Sequence, residues 1–116
     1  METLDRALQK VKRYQGNLLR TVDFSDSPDQ EALEVFLKDY IPDHVVTIPQ
    51  YWSTSKRDGY NDSASVKIYI LNAKRGRDIS AIGLDEAEVL YERNTVFRVR
   101  NKKFSNGTWH ILVEEV

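Results

Sequence analysis

Three short segments of the chain carry side chains that could do chemistry together. Arg20 lies in an otherwise apolar stretch, Ser53–Ser55 supplies three consecutive hydroxyls, and Glu86 and Glu88 flank a single alanine. A guanidinium binds anions through a planar fork of donors. Carboxylates two residues apart in an extended segment point to one face, and carboxylates this close titrate as a pair. These residue types suit a site that holds an anion beside carboxylates able to stabilise positive charge or accept a proton.

Each segment also has an ordinary structural interpretation. Arg20 could extend along a sheet to reach solvent at its edge, Ser53–Ser55 could be the polar end of a strand, and Glu86 and Glu88 could be a solvated pair. Taken singly, each segment favours that interpretation. Their order in one chain, with each segment on a predicted strand or at its end, favours a shared site instead.

Two predicted helices and a series of predicted strands would position these segments. Apolar residues at helical spacing predict one helix over residues 2–13. A capping serine and a first-turn proline at Ser27 and Pro28 predict a second helix, which runs to about Tyr40 and is stopped by Pro42. The remaining hydrophobic pattern is typical of strands. We expect these strands over residues 18–24, 45–49, 51–55, 66–71, 88–91, 95–100 and 109–114.

Helices early in the chain and strands late predict an α+β fold, with an antiparallel-rich sheet and one or two flanking N-terminal helices. Asn106-Gly107 predicts a hairpin turn before the last strand. Residues 56–63 predict a polar loop, residues 72–76 a turn, and residues 79–84 an irregular link. The 116 residues contain no repeat and no linker, so we expect one domain over residues 1–116.

The composition excludes several classes of protein. Hydrophobic residues make up 41% of the chain and charged residues 30%, which is typical of a globular rather than a disordered protein. Lys and Arg total 17 against 18 Asp and Glu, and the net charge of −1 argues against nucleic-acid binding and against attraction to anionic membranes. The lack of cysteine excludes disulfides, thiolate catalysis and cysteine-ligated zinc. No apolar run approaches the ~20 residues that cross a bilayer.

The ordered trio of segments resembles the arginine/serine/glutamate class of mono-ADP-ribosyltransferases, which includes actin-modifying binary toxins and phage-encoded enzymes. Tyr14–Val22 is similar to the first core strand of the family, where an aromatic residue and a glycine precede the catalytic arginine. Tyr51–Ser55 matches the aromatic-x-Ser-Thr-Ser motif, and residues 78–99 are similar to the loop, the Glu-x-Glu and the strands that follow it. The resemblance covers nearly the whole chain from Tyr14 onward and implies a single ADP-ribosyltransferase-like domain with a split β-sheet.

The resemblance implies cleavage of the bond between nicotinamide and ribose in NAD+, the substrate, without a metal. Such a reaction passes through an oxocarbenium-like state that needs a carboxylate near the ribose. Glu88 would be that carboxylate, Ser53 would orient it by hydrogen bonding, and Arg20 would hold the pyrophosphate.

Four further residues are implied to belong to the NAD+ site. Thr21 stands where the family usually has a glycine, and its backbone would hold the nicotinamide amide. Thr54 and Ser55 would brace the local strand. Tyr60 is the only aromatic residue in the loop after Ser55, and it would stack on the nicotinamide.

Glu86 is implied to determine the acceptor, because a glutamate at this place in the family accompanies arginine acceptors. A guanidinium is a poor nucleophile, since its pKa lies above ~12. Deprotonating it fully at neutral pH would cost roughly 7 to 9 kcal/mol. A nearby carboxylate attracts and aligns the cation and takes its proton as the bond forms. The implied partner is therefore a protein with a modified arginine, and an immunity or inhibitor protein would fit a toxin of this class.

The sequence leaves two other functions open. An NAD+ glycohydrolase would use the same residues with water as the acceptor. A catalytically dead domain of the same fold, or an unrelated α+β binding module, is favoured slightly by Thr21 and by the short N-terminus. The presence of Arg20, Ser53, Glu86 and Glu88 together opposes the binding module. The two histidines, at positions 44 and 110, lack metal-ligand spacing, which argues against a metal enzyme.

The first 13 residues mix charged and apolar side chains and lack the continuous apolar run of a targeting peptide. We therefore expect a cytoplasmic protein, or one delivered to the cytosol of a target cell without a cleavable signal. A domain trimmed from a longer toxin would look the same.

Overall fold

The computed structural model of the chain describes residues 2–24, 30–56, 64–79 and 87–116. Two helices and eight strands lie within these residues. In chain order they are α1 (Glu2–Gln9), β1 (Gly16–Val22), α2 (Gln30–Leu37), β2 (Val45–Ile48), β3 (Trp52–Ser55), β4 (Val66–Ala73), β5 (Arg77–Asp78), β6 (Glu88–Tyr91), β7 (Thr95–Ser105) and β8 (Thr108–Glu115). Neither helix is long and apolar enough to cross a membrane.

All eight strands belong to one mixed sheet with the order β2-β7-β8-β4-β1-β3-β6-β5. β4 and β8 are parallel, whereas the other strand pairs in the described part of the chain are antiparallel. β1 lies at the middle of this order and pairs along its length with β4, but it meets β3 in the described residues through one bridge, Leu19 with Ser55. The expected α+β fold with an antiparallel-rich, split sheet is therefore confirmed.

The core lies on one face of the sheet, where alternate residues of the strands are fully buried. On β4 these are Val66, Ile68 and Ile70, each 0% exposed. Trp52 of β3 and Phe97 of β7 meet in this core with ring centroids 5.2 Å apart. The alternation of apolar and polar residues that predicted the strands thus matches the alternation of buried and exposed side chains in the structure.

Several predicted boundaries differ from the structure. α1 ends at Gln9 instead of residue 13, because the chain then pairs with β5: Asp78 N donates to the carbonyl of Lys12 at 2.9 Å. β5 itself was not predicted, and β4 continues to Ala73, into the predicted turn. β7 extends to Ser105.

The hairpin turn is confirmed, since Asn106 and Gly107 have φ values of 52° and 80°, as a two-residue hairpin loop requires. The predicted helix start at Ser27 and Pro28 lies outside the described residues, as does most of the predicted loop 56–63 and of the link 79–84.

Candidate active site

Three neighbouring strands bring the predicted catalytic segments together. Arg20 lies on β1, Ser53 on β3 and Glu88 at the first position of β6. Ser55 pairs directly with Glu88, and Ser53 with Leu90, so Ser53 and Glu88 share one face of the β3–β6 pair. Burial alternates along both strands, and this shared face is the less buried one. The side chains of Ser53 and Glu88 therefore lie on a face open to a ligand, whereas Arg20 pairs with Ile68 and points to the side of the sheet that carries Trp52.

Two hydrogen bonds connect the three residues. Nη1 of Arg20 donates to the backbone carbonyl of Ser53 at 2.8 Å. The hydroxyl of Ser53 donates to Oε2 of Glu88 at 2.6 Å, a length typical of a hydroxyl bonded to a carboxylate. The hydrogen bond expected between Ser53 and Glu88 is thus present. These bonds join residues 33 and 35 positions apart in the sequence, so the sheet alone brings them together.

The guanidinium of Arg20 is held by more than this hydrogen bond. Its central carbon lies 5.3 Å from the ring centroid of Trp52, within the range of a cation–π contact. Its Nε is buried and has no hydrogen-bond partner among the described residues. Burial lowers the pKa of Arg20, and Tyr40 acts in the opposite direction. The group stays a cation at neutral pH, because guanidinium groups do not deprotonate there.

Tyr40 lies close enough to Arg20 for the two side chains to interact electrostatically, and the sequence analysis gave it no role in the site. It follows α2, is 4% exposed, and stacks on Phe36 with ring centroids 5.1 Å apart. Burial raises the pKa of Tyr40 to about 12, whereas the nearby Arg20 lowers it and Asp39 raises it. The sequence places Tyr40 on the apolar stripe of the second helix, but it carries no signal for contact with a residue of β1.

Thr54 faces away from Ser53 and Glu88, on the same side of β3 as Trp52. It is 3% exposed, and its hydroxyl donates to the carbonyl of Val89 at 2.7 Å. This bond ties β3 to β6, so Thr54 braces the strand pair, as expected. Ser55 lies on the less buried face, opposite Glu88. Thr21 is partly buried near the end of β1 and pairs with Lys67 of β4.

Two of the predicted site residues, Glu86 and Tyr60, lie outside the described residues. The segment is described again from Ala87, whose carbonyl accepts a hydrogen bond from the backbone N–H of Lys56 at 2.8 Å. This bond holds the chain just before Glu88 against the end of β3. Lys56 forms an ion pair with Asp78 at 3.1 Å.

The described residues contain no group of three or more acidic or histidine side chains that could hold a metal ion. His110 instead stacks on Tyr69, with a hydrogen bond of 2.9 Å between the tyrosine hydroxyl and Nδ1. The arrangement of Arg20, Ser53 and Glu88 can hold an anion at the guanidinium and face positive charge with the carboxylate.

Neither a protein-family model nor a curated protein sequence matches the chain. Solved structures do match it. The Vis toxin of Vibrio splendidus, an ADP-ribosyltransferase, has a TM-score of 0.73 and 25% identity over 99% of this chain and 54% of its own. An ADP-ribosyltransferase of Clostridium botulinum has a TM-score of 0.74 and 19% identity over 98% of this chain and 67% of its own.

Exoenzyme S of Pseudomonas aeruginosa, solved with human 14-3-3 protein beta and carba-NAD, has a TM-score of 0.75 and 19% identity. The match covers 99% of this chain and 56% of that one. The chain thus spans about half of the length of several of these proteins. Two helices and an eight-stranded mixed sheet, superposable on these structures over nearly every residue, give the chain the fold of the ADP-ribosyltransferases.

Proposed function

We propose that this chain transfers ADP-ribose from NAD+ to an arginine side chain of a protein and releases nicotinamide. One observation carries the proposal: Arg20, Ser53 and Glu88 are joined by hydrogen bonds of 2.8 and 2.6 Å across three strands of a fold shared with ADP-ribosyltransferases. Each of the three groups has a task in this reaction. We further propose that residues 1–116 act as one catalytic domain.

Glu88 stabilises the positive charge that develops on the ribose as nicotinamide leaves with the electron pair of the broken bond. A carboxylate works best when it is already oriented toward that charge. The hydroxyl of Ser53 supports this orientation, since it donates to Oε2 of Glu88. The second carboxylate oxygen does not take part in that bond and can face the ribose.

Arg20 binds the pyrophosphate of NAD+. Its Nη1 is anchored on the carbonyl of Ser53, and its planar group lies over Trp52. A guanidinium held in this way loses little conformational entropy when it binds a phosphate oxygen. Thr21 presents its backbone to the nicotinamide amide, and Tyr60 stacks on the ring. Thr54 and Ser55 support β3, the strand to which they belong.

Glu86 serves the acceptor. A nitrogen of the acceptor guanidinium forms a bond to C1′ of the ribose, the bond from C1′ to nicotinamide breaks, and the proton of the guanidinium passes to Glu86. Glu86 lies two residues before Glu88 in the sequence, which keeps the two carboxylates near each other.

The test measures nicotinamide release and labelling of agmatine, a small guanidino acceptor, from labelled NAD+. The wild-type chain should label agmatine, and Glu86→Gln should lose most of that labelling while it keeps much of the nicotinamide release, because water carries no cation that needs a base. A wild-type chain that releases no nicotinamide would contradict the proposal. Equal loss of both rates in Glu86→Gln would assign Glu86 to NAD+ instead of the acceptor.

NAD+ glycohydrolysis is the second candidate function. The residues that face NAD+ in our proposal, Arg20, Ser53 and Glu88, are hydrogen-bonded in the described structure, and hydrolysis needs no acceptor residue. This function would be favoured if nicotinamide is released, if agmatine does not accelerate the release, and if agmatine is not labelled.

The structural neighbours suggest where the reaction takes place. XopAI of Xanthomonas axonopodis pv. citri, which matches 90% of this chain and is itself matched over 42% of its length, is a type III effector, and Vis is a toxin. We propose that this chain likewise modifies a protein in the cytosol of a target cell. An immunity or inhibitor protein in the producing cell would then be its second protein partner.

A further inference from the structure

An arginine-rich cleft lies at the opposite end of β6 from Glu88. It has a volume of about 490 Å³, and its lining includes Arg13, Arg75, Arg93 and Glu92. β6 runs from Glu88 to Tyr91, roughly 10 Å at the rise of a strand, and Glu92 and Arg93 follow it, so the cleft lies beyond the far end of β6 from Glu88. We call these residues the arginine cleft.

A fourth arginine, Arg77, is buried beside the cleft. Arg77 is 9% exposed, and its Nη1 donates to the carbonyl of Val11 at 3.1 Å. Its Nη2 lies 3.9 Å from the carboxylate of Glu92, and its buried Nε has no hydrogen-bond partner among the described residues. Three of the nine arginines of a chain with a net charge of −1 therefore line this cleft, and a fourth lies 3.9 Å from Glu92, the only carboxylate among the described residues that line it.

The backbone of the arginine cleft is held in place before any ligand binds. The N–H groups of Lys74 and Arg75 both donate to the carboxylate of Glu115, each at 2.9 Å. Asn94, with φ at 65°, donates to the carbonyl of Ile48 at 2.8 Å. Arg13 forms a backbone bridge with Arg77. Fixed backbones reduce the entropy that a binding site loses when it captures a ligand.

The guanidinium groups of Arg13 and Arg75 have neither an ion pair nor a hydrogen bond within the described part of the chain. Arg93 lies with its guanidinium 5.5 Å from the ring centroid of Tyr51. Three lining arginines and one glutamate give the lining a net charge of +2. A phosphate monoester carries about −1.5 to −2 at neutral pH and accepts the paired hydrogen bonds that guanidinium groups offer.

We propose that the arginine cleft is a second binding site, separate from the active site, for a ligand that carries a phosphate monoester. The volume of the cleft lies within the ~300–1,000 Å³ of small-molecule sites, so the ligand is the phosphate together with a group of sugar or side-chain size. A sugar phosphate and a phosphorylated side chain of a partner protein share this chemistry.

The test is a titration of the ¹⁵N-labelled full chain with inorganic phosphate at constant ionic strength, followed by NMR. We expect saturable shifts of the Asn94 and Thr95 amides with a Kd below ~10 mM. The double variant Arg13→Gln/Arg75→Gln should bind at least tenfold more weakly. Arg100→Gln/Lys103→Gln removes the same charge from the exposed surface of β7 and is the matched control.

Shifts that do not saturate by 50 mM phosphate, or equal weakening in the control variant, would overturn the proposal, because both indicate attraction by bulk charge alone. Two further titrations, with ribose 5-phosphate and with a phosphoserine peptide, decide whether the phosphate belongs to a sugar phosphate or to a phosphorylated side chain. Tighter binding of either one than of inorganic phosphate supports the proposal and identifies the source. Catalysis plays no part in the readout, so the result stands apart from the proposed transferase activity.

Discussion

At the scale of single residues, the candidate site depends on how firmly each polar group is held. Arg20 is anchored on the backbone of β3 and on Trp52, and Glu88 is anchored on the hydroxyl of Ser53. Neither charged group has to move far to meet a substrate. Substitutions of these residues should therefore change NAD+ binding and cleavage with little change in the fold.

Glu88→Gln keeps the shape of the side chain and its contact with Ser53 but removes the negative charge. We expect both nicotinamide release and agmatine labelling to fall by at least ~10²-fold, the scale of losing one preorganised electrostatic group. Glu114→Gln is the control, because Glu114 on β8 pairs with Arg100 on β7, in a part of the sheet away from Glu88. Activity of Glu88→Gln within threefold of wild type would remove Glu88 from the catalytic role.

Arg20→Ala should weaken NAD+ binding by about 1.5 to 3 kcal/mol, the cost of a hydrogen bond to a charged group. Isothermal titration calorimetry measures this loss directly. Arg100→Ala, on β7, provides the comparison and should leave the affinity unchanged. Unchanged affinity in a folded Arg20→Ala variant would give Arg20 a structural role, in packing against Trp52.

At the scale of the elements, the sequence predicted the strands best where one face of the sheet is buried. Val66, Ile68 and Ile70 alternate with less buried residues, and β4 follows that alternation. β5 is two residues long and too short to show a period, so the sequence could not predict it. α1 ends early because pairing of residues 12–14 with β5 replaces the last helical turn.

The sequence predicted the order of the site residues but not their distances. The bond from Arg20 ends on the backbone carbonyl of Ser53, and a carbonyl carries no sequence signal. The proximity of Tyr40 to Arg20 depends on how the chain after α2 packs on the sheet, which the sequence pattern does not specify. Side-chain identities thus predicted the chemistry, whereas packing between distant segments determines the geometry.

Gly76 shows how closely the turn before β5 approaches β6. A Cβ added to Gly76 would lie 2.5 Å from Cγ1 of Val89, which is fully buried. Gly76→Ala should therefore lower the free energy of unfolding by about 1 to 3 kcal/mol in urea denaturation. Gly76→Ala/Val89→Ala should lose less than the sum of its single variants, whereas Gly76→Ala/Val113→Ala should be additive. Additivity in both pairs would refute the close approach.

At the scale of the whole molecule, two buried tyrosines make stability depend on alkaline pH. Burial raises the pKa of Tyr40 to about 12, and burial followed by the hydrogen bond to Glu115 raises the pKa of Tyr91 further still. An unfolded tyrosine loses its proton near pH 10. Stability from these residues is therefore complete below pH 10 and is lost as the pH rises toward 12 and beyond.

Tyr40→Phe should reduce this alkaline loss of stability by roughly 2 to 3 kcal/mol between pH 10 and 12, since each unit of pKa difference corresponds to ~1.4 kcal/mol. Urea denaturation at a series of pH values measures the change. Tyr69→Phe is the matched control, because it removes the same hydroxyl from a partly exposed ring that stacks on His110. An alkaline loss in Tyr40→Phe equal to that of wild type would contradict the assignment.

The seam between β1 and β3 is held in the described residues by one backbone bridge, Leu19 with Ser55, and by the hydrogen bond from Arg20 to the carbonyl of Ser53. Amide hydrogens exchange through local unfolding, and a unit tied to its neighbour by one backbone bridge opens at lower free energy than the whole protein. We therefore expect β3 and β6 to exchange faster than β4 and β8. Arg20 lies on one side of this seam and Glu88 on the other, so local opening takes the site apart while most of the sheet stays folded. A ligand bound to both Arg20 and Glu88 would join β1 to the β3–β6 pair, so amide hydrogen exchange should slow first on β3 and β6.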